Sequence, residues 1–372
     1  MLESLSIKNF RNFRTLQIES LARVNLIVGR NDTGKTNLLD AASIYAAAAD
    51  LNWIARLLER RELLQKNFER VHNFILTGEG ENVYSSLFVN WNKSDSIDNQ
   101  IVIETSEREG TKKYVALRLI RLIDQSKTKN GESEIKILQE NEQSELPVIR
   151  GFQTFSPVHR YKMMVFDGDT RLYLPPEIEH LIPFRYISTR IQRISESDEI
   201  KLWGDISIRP LKSIVLDALR MVNNRIVDFN YISCRGIENF LVPYVRLENT
   251  EAPTPLHSLG DGTKRVLTII LNLISAKDGM LLIDEFENGL HYIIQEPLWQ
   301  MIFQVAQQLN VQIFATTHSD DCLRAFAEVL KENGHSDQGK VLRLARVKDD
   351  ILCSTYGSRD LEEVFDKEME VR

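Results

Sequence analysis

Four residues near the start of the chain have the types and the spacing that hold a polyphosphate. Gly29, Gly34, Lys35 and Thr36 fit the pattern GxxxxGK[ST], which is called the P-loop. Its backbone N–H groups surround phosphate oxygens, the lysine brings a charge to the β and γ phosphates, and the threonine hydroxyl reaches Mg²⁺. An apolar strand precedes the loop and a helix follows it, so the sequence predicts a site for ATP and Mg²⁺. The residues predicted to contact this nucleotide are Gly29, Arg30, Asn31, Asp32, Thr33, Gly34, Lys35, Thr36 and Asn37.

A pair of acids follows a second apolar run, in the stretch MLLIDEF. A hydrophobic strand that ends in a carboxylate is the Walker B arrangement, in which Asp284 and Thr36 would hold Mg²⁺. Glu285 is placed to orient and deprotonate the attacking water. Two adjacent acids at a strand end could instead cap a helix and favour its first turn. The P-loop needs such a partner, which favours the Walker B interpretation.

A histidine follows a third apolar run, in the stretch FATTHSDD. At the end of a strand beside the P-loop, His318 is placed to donate a hydrogen bond to the γ phosphate. A lone histidine at a strand end is more often structural, and that alternative stays open. The predicted catalytic groups are Glu285, His318 and Lys35.

A second glycine-rich loop, SLGDGTKR, lies more than two hundred residues after the first. P-loop, glycine-rich loop, acid pair and histidine occur in the order found in ABC-type ATPase heads. The stretches IKNFRNF, VGRNDTGKTNLLDA, GDGTKR, LLIDEFENGLH and FATTHS resemble the RecF, SMC and OLD group of these ATPases, and are most similar to stand-alone OLD-like proteins. The resemblance covers roughly residues 1–50 and 255–325.

This resemblance explains the second loop, because the signature loop of the family closes over the nucleotide of a second head. It implies a homodimer or a higher homo-oligomer that forms on ATP. The residues expected to face the second nucleotide are Ser258, Gly260, Gly262 and Lys264, with Arg265 as a further charge. The loop departs from the usual LSGGQ, since either Gly260 stands at the serine position or Ser258 serves from a shifted register. The resemblance also implies a D-loop at Asn288, Gly289 and Leu290, whereas Tyr186–Arg190 is either the Q-loop or a core strand.

The fold that follows is an α/β ABC-type P-loop ATPase head with a mostly parallel core sheet. Residues 1–50 and 255–372 are expected to form this discontinuous core, and residues 51–254 an inserted helical and antiparallel β region. Short strand-like runs between residues 83 and 170 predict an antiparallel meander. The stretch 208–232 is predicted to be helical and to belong to a helical signature subdomain.

The composition limits the classes of partner that are expected. The 372 residues carry a net charge of -7, which argues against a chain that is basic overall and binds nucleic acid through its whole surface. Two arginine groups, Arg56, Arg60 and Arg61 and then Arg185, Arg190 and Arg193, are either local basic patches or solvated helix faces. The three scattered cysteines indicate neither zinc nor disulfides, and the absence of a long apolar run predicts no membrane partner and a cytoplasmic location.

The leading functional hypothesis is an ATP-hydrolysing switch that signals to DNA or to a separately encoded effector, in antiphage defence or DNA maintenance. One alternative is a RecF-like repair ATPase that binds double-stranded DNA. A transporter ATPase subunit and a small-molecule kinase are weaker alternatives, because the signature loop departs from the transporter pattern and a kinase needs no such loop. About fifty residues follow His318, too few for the TOPRIM domain of OLD nucleases, so no nuclease activity is expected.

Overall fold

The computed structural model describes residues 1–62, 86–89, 100–106, 111–124, 135–138, 142–146, 148–166, 180–188, 196–208, 210–233, 241–332 and 335–366. The strands are β1 (Ser4–Phe10), β2 (Phe13–Ile18), β3 (Val24–Gly29), β4 (Gln100–Ser106), β5 (Lys112–Asp124), β6 (Ile135–Ile137), β7 (Ile149–Ser156), β8 (His159–Phe166), β9 (Phe184–Ile187), β10 (Ile226–Ser233), β11 (Leu241–Leu247), β12 (Thr254–Pro255), β13 (Met280–Ile283), β14 (Gln312–Thr316), β15 (Gly339–Val347) and β16 (Asp350–Tyr356). The helices are α1 (Lys35–Ala46), α2 (Leu51–Glu62), α3 (Glu196–Ser207), α4 (Lys212–Val222), α5 (Asp261–Ser275), α6 (Tyr292–Gln308), α7 (Asp320–Lys331) and α8 (Ser358–Asp366).

The core is a six-stranded sheet in the order β16-β15-β3-β14-β13-β9. All of its pairs are parallel except β15 with β16, which confirms the mostly parallel sheet. The P-loop strand β3 lies between β14 and β15, which come from the last third of the chain. The two ends of the sequence therefore complete one sheet, as the positions of the Walker motifs predict.

Both faces of the core sheet are covered, which explains why its central strands β3, β14 and β13 are buried along their whole length and largely apolar. On β3, Val24, Leu26 and Val28 pack into the cluster formed with the helices α3 to α7. Ile27 of the same strand packs into a second cluster with α1, α2 and the antiparallel strands. Side chains alternate between faces along a strand, so a strand buried on both sides reads as a continuous hydrophobic run.

The antiparallel meander is confirmed. Strands β2, β1, β4, β5, β7 and β8 follow one another in a sheet, and β6 pairs with the far end of β5. Strand β7 was not among the predicted runs, although it pairs with β5 on one side and β8 on the other. The predicted run at residues 82–91 falls largely outside the described residues, and its Phe88 forms a bridge with Phe10.

Two expectations about the middle of the chain need correction. The stretch 208–232 is not helical throughout, because α4 ends at Val222 and β10 begins at Ile226. β10, β11 and β12 form a separate three-stranded sheet beside the helices. The expected boundary at residue 51 also differs from the structure: β9 joins the core sheet from within 51–254, and β1 joins the antiparallel sheet from within 1–50. Within the described residues, no helix is long and apolar enough to cross a membrane.

Candidate nucleotide site

The P-loop turns tightly from β3 into α1, and two glycines make this possible. Gly29 has a φ of 148°, and a Cβ there would lie 2.4 Å from the carbonyl oxygen of Leu344 in β15. Gly34 has a φ of 90° and caps α1, beside Asn12 of the β1–β2 turn. Both positions exclude a larger residue, since a positive φ strains any residue with a Cβ. The loop therefore has the shape that the sequence predicts.

Lys35 is buried at the first position of α1. Its Nζ donates hydrogen bonds to the carbonyl oxygens of Gly29, at 2.6 Å, and Arg30, at 3.1 Å. The ammonium group is thus held against the loop itself. A group so placed brings positive charge to the site where the loop N–H groups and the positive end of the helix dipole favour an anion.

Asp284 follows β13 and is buried directly beneath the loop. Its Oδ1 accepts hydrogen bonds from the hydroxyls of Thr36, at 3.1 Å, and Thr316, at 2.8 Å. Burial raises the pKa of Asp284, the two hydroxyls lower it, and the charges of Glu285 and Asp40 raise it further. A carboxylate and a threonine hydroxyl from two elements are the hard oxygen donors that Mg²⁺ takes, so the residues present fit that ion.

Glu285 lies next in the chain, with a φ of 51° that is unusual for a residue with a side chain. Its backbone N–H donates to the Thr316 hydroxyl at 2.8 Å, and its carbonyl oxygen accepts from Nη2 of Arg265 at 2.7 Å. The residue is therefore held on both sides of its strained Cα. The neighbouring element β14 supplies one of these contacts and α5 the other.

His318 follows β14 and is exposed. Its backbone N–H donates to Oε1 of Glu287 at 2.7 Å. Helix α7 begins directly afterwards, capped by the hydroxyl of Ser319, which accepts from the N–H of Cys322. The histidine loop is therefore fixed by Glu287 on one side and by the helix cap on the other.

A cavity of about 750 Å³ joins these elements. This volume is within the range of small-molecule sites. Its lining includes Gly29, Arg30, Asn31, Glu285, Glu287 and His318. The first three residues of the P-loop, the second Walker B acid and the histidine thus face one space, whereas Lys35, Thr36 and Asp284 are not part of its lining. The four signature residues do not line that cavity.

The signature residues lie elsewhere, at the start of α5. Gly260 caps the helix with a φ of 91°, and the space where its Cβ would be is open. Gly262 approaches the D-loop, since a Cβ there would lie 3.0 Å from the carbonyl oxygen of Gly289. Lys264 is exposed. The start of α5 and the predicted D-loop are therefore neighbours within one chain at Gly262 and Gly289.

The Q-loop candidate is in part a core strand. Tyr186 and Ile187 belong to β9, which pairs with β13, whereas residues 189 and 190 lie outside the described part of the chain. The hydroxyl of Tyr186 donates to Oδ1 of Asp40 on α1 at 2.9 Å. The strand alternative is therefore right for the first half of this segment.

Three contributors to the site were not predicted in these roles. Thr316 bonds both Walker B acids, Glu287 holds the histidine loop, and Arg265 reaches the carbonyl of Glu285. Signals for the first two were present, as a hydroxyl before the histidine and a third acid after the Walker B pair. Arg265 was noted only as a charge of the signature loop.

The fold and the site together define an ABC-type P-loop ATPase head. A model described as "AAA ATPase domain" matches residues 1–148, and one described as "AAA domain, putative AbiEii toxin, Type IV TA system" matches residues 245–323. Residues 1–148 contain the P-loop. Residues 245–323 contain the signature loop, the Walker B acids and His318. Both models are of AAA ATPase domains, so the chain is similar to ATPases of that kind over the segments that contain the predicted nucleotide site.

Individual proteins and solved structures are similar to this chain over different shares of its length. An "ATP/GTP phosphatase" of Helicobacter pylori is 24% identical over 99% of both chains. A "DNA replication and repair protein RecF" of Listeria welshimeri is 47% identical over 47 residues, which are 13% of each chain. Among solved structures, the SmcHead bound to the C-winged helix domain of ScpA covers 98% of this chain and 99% of its own, with 11% identity and a TM-score of 0.45. The SMC head domain from Thermotoga maritima covers 95% and 98%, with 12% identity and a TM-score of 0.41.

Proposed function

We propose that this ATPase is a molecular switch whose heads close as a dimer on ATP and reopen on hydrolysis. One observation carries the proposal: the two glycine-rich loops lie at different places in the same chain. The first part of the P-loop lines the cavity with Glu285 and His318. Gly260 and Gly262 are not part of that lining, and Gly262 approaches the carbonyl oxygen of Gly289. Because the signature loop does not line the site where its own chain would bind ATP, we infer that it contacts the ATP bound by a second copy.

In the proposed reaction the P-loop N–H groups and Lys35 bind the β and γ phosphates of ATP. Glu285 orients a water molecule and accepts its proton as the water attacks the γ phosphorus. His318 donates a hydrogen bond to the γ phosphate from the opposite side of the cavity. Thr36 and Asp284 would hold Mg²⁺, which neutralises phosphate charge when it is bound.

For the biological role we favour signalling to a separate effector in antiphage defence or DNA maintenance. The description of the second family model, which names a toxin of a Type IV TA system, supports the defence role. That this chain has no nuclease activity and is cytoplasmic stays a prediction. An ATP-dependent change in shape, transmitted to a partner, requires no further catalytic domain in this chain.

The RecF-like alternative remains as a second candidate, with direct binding of double-stranded DNA. The RecF match supports it, and of the two arginine groups Arg56 and Arg185 are exposed. The side chains of the other four arginines are outside the described part of the chain. Binding through such patches would fall steeply with salt, which sets it apart from recognition of a protein effector.

The assignment of the site is tested by replacing Lys35 with alanine. We expect at least a tenfold loss of ATP affinity and a hydrolysis rate near background, because the variant lacks the charge at the phosphates. Lys331→Ala, an exposed lysine paired with Glu328 on α7, is the matched control and should behave as the unaltered protein. Equal ATP binding and turnover in the two variants would refute the site, provided that circular dichroism shows both to be folded.

A further inference from the structure

Arg265 lies where the signature helix meets the Walker B acids. It stands on α5, three residues after Gly262, and its Nη2 donates to the carbonyl oxygens of Asp284, at 3.2 Å, and Glu285, at 2.7 Å. These carbonyls belong to the residue beneath the P-loop and to the proposed catalytic acid. One guanidinium therefore ties the start of α5 to the end of β13.

The electrostatic surroundings make this contact more than a surface hydrogen bond. Burial lowers the pKa of Arg265, while the charges of Glu287, Asp284 and Glu285 raise it, in that order of size. A half-buried guanidinium near three carboxylates keeps its charge, and hydrogen bonds from a charged donor are about twice as strong as neutral ones.

The backbone that Arg265 binds is strained. Glu285 has a φ of 51°, and such a conformation persists only where the surroundings fix it. Thr316 holds the N–H of Glu285 and Arg265 holds its carbonyl oxygen. A loosened carbonyl would let the peptide relax, and the carboxylate would turn away from the cavity.

The network also has room to change. Within the described residues, Nε of Arg265 and Oε2 of Glu287 are both buried without a hydrogen-bond partner. A buried polar atom without a partner costs about 1–3 kcal/mol, so small movements of α5 that satisfy these atoms are favoured. Oε1 of the same Glu287 holds the histidine loop, which extends the network to His318.

We propose that Arg265 is a positioning residue that couples the signature helix of a chain to the hydrolysis site of the same chain. When the signature loop meets the nucleotide of a second copy, α5 shifts at Gly260 and Gly262, and Arg265 carries the shift to the peptide of Glu285. Each head would thereby sense that its signature loop is occupied before its own acid is set for hydrolysis. This inference rests on the proposed dimeric ATPase.

The test compares Arg265→Ala and Arg265→Lys with Arg23→Ala. Arg23 is a matched control, because its Nη1 also donates to two backbone carbonyls, those of Ala306 and Val311, away from the site. For each variant we would measure ATP affinity, dimer formation on ATP, kcat and KM. The thermal midpoint of unfolding reports the purely structural cost of each substitution.

For Arg265→Ala we expect unchanged ATP affinity, an ATP-dependent dimer, a KM within about twofold and a kcat lowered by about 10- to 100-fold, since a displacement near 1 Å can cost about 100-fold. Arg265→Lys, which keeps the charge without the planar fork, should recover part of this loss. Arg23→Ala should lose stability without loss of kcat.

Two results would overturn the inference. A kcat for Arg265→Ala within twofold of the unaltered protein removes the positioning role, and equal losses of kcat in Arg265→Ala and Arg23→Ala reduce it to general stability. The proposed function fails in a different way, by normal turnover in Lys35→Ala. The two failures are therefore distinguishable in one set of assays.

Discussion

A single hydroxyl joins the two acids of the site. Oγ1 of Thr316 donates to Oδ1 of Asp284 and accepts from the N–H of Glu285, so it fixes both a side chain and a backbone. Both contacts measure 2.8 Å, and the one with Asp284 is buried. The last residue of β14 is therefore as much a part of the site as the acids after β13.

Thr316→Val removes this hydroxyl at nearly constant volume. We expect the free energy of unfolding to fall by about 1–3 kcal/mol, because the buried N–H of Glu285 loses its acceptor, and we expect kcat to fall as well. Urea unfolding and steady-state ATP hydrolysis measure the two effects. Thr105→Val on β4 is the control, since within the described residues the buried hydroxyl of Thr105 makes no hydrogen bond, and its loss should leave kcat unchanged without lowering the free energy of unfolding.

The Glu285→Gln variant separates ATP binding from ATP hydrolysis. The amide keeps the size of the side chain and loses the proton acceptor, so ATP affinity should persist while single-turnover hydrolysis slows by about 100- to 10,000-fold. Glu296→Gln, on the exposed side of α6, is the control and should hydrolyse ATP at the normal rate. A Glu285→Gln variant with an ordinary rate would assign the general base to another group.

At the scale of elements, the loop from β3 to α1 depends on the strand beside it. The carbonyl of Leu344 in β15 lies where a Cβ on Gly29 would be, so the shape of the P-loop and the position of β15 are set together. Nothing lies within 4 Å of the corresponding position on Gly204, in the middle of α3. A side chain at Gly29 would therefore clash with β15, whereas a side chain at Gly204 has room.

Gly29→Ala and Gly204→Ala should move stability in opposite directions. The first places a methyl group 2.4 Å from a backbone oxygen at a φ of 148°, and should lower both the melting temperature and ATP affinity. The second removes a glycine from a helix interior and should stabilise by about 0.5–1 kcal/mol. Differential scanning calorimetry with and without ATP checks both. A stabilising Gly29→Ala would mean that β15 moves freely relative to the loop.

Local patterns predicted the parts of the site that local chemistry determines. Glycine spacing gives the P-loop, and an apolar run followed by acids gives Walker B, because each motif lies within one strand and its following turn. The contact of Arg265 with Glu285 joins residues on different elements, and no spacing in the chain encodes it. The sheet β10-β11-β12 was missed for a related reason: the apolar residues of β10 extend the helical pattern of α4.

At the scale of the whole molecule, the core sheet is a partition between two hydrophobic clusters. The P-loop helix α1 packs on one face and the signature helix α5 on the other, so the two glycine-rich loops begin helices on different sides of the sheet. The alternation of side chains along the strands could not predict which helix packs on which face, because the central strands β3, β13 and β14 are largely apolar on both faces. The Walker B turn is the place where the two sides meet, through Thr36 and Arg265.

The proposed dimer predicts that hydrolysis depends on the concentration of the protein. If two copies complete each site, the rate per chain should rise with concentration and reach a plateau, whereas a self-sufficient head gives a constant rate. Steady-state ATP hydrolysis over a wide range of protein concentration measures this, and Glu285→Gln should be a stable dimer with ATP in analytical ultracentrifugation.

The same hydrolysis assay with double-stranded DNA at low and high salt tests whether DNA or a protein effector activates the ATPase. A salt-sensitive rise in rate favours direct DNA sensing, and a rate indifferent to DNA favours a protein effector, because a chain with a net charge of -7 gains little from DNA except through a local basic patch. A constant rate per chain together with a monomeric Glu285→Gln variant would contradict the dimeric switch and leave the ATPase site itself intact.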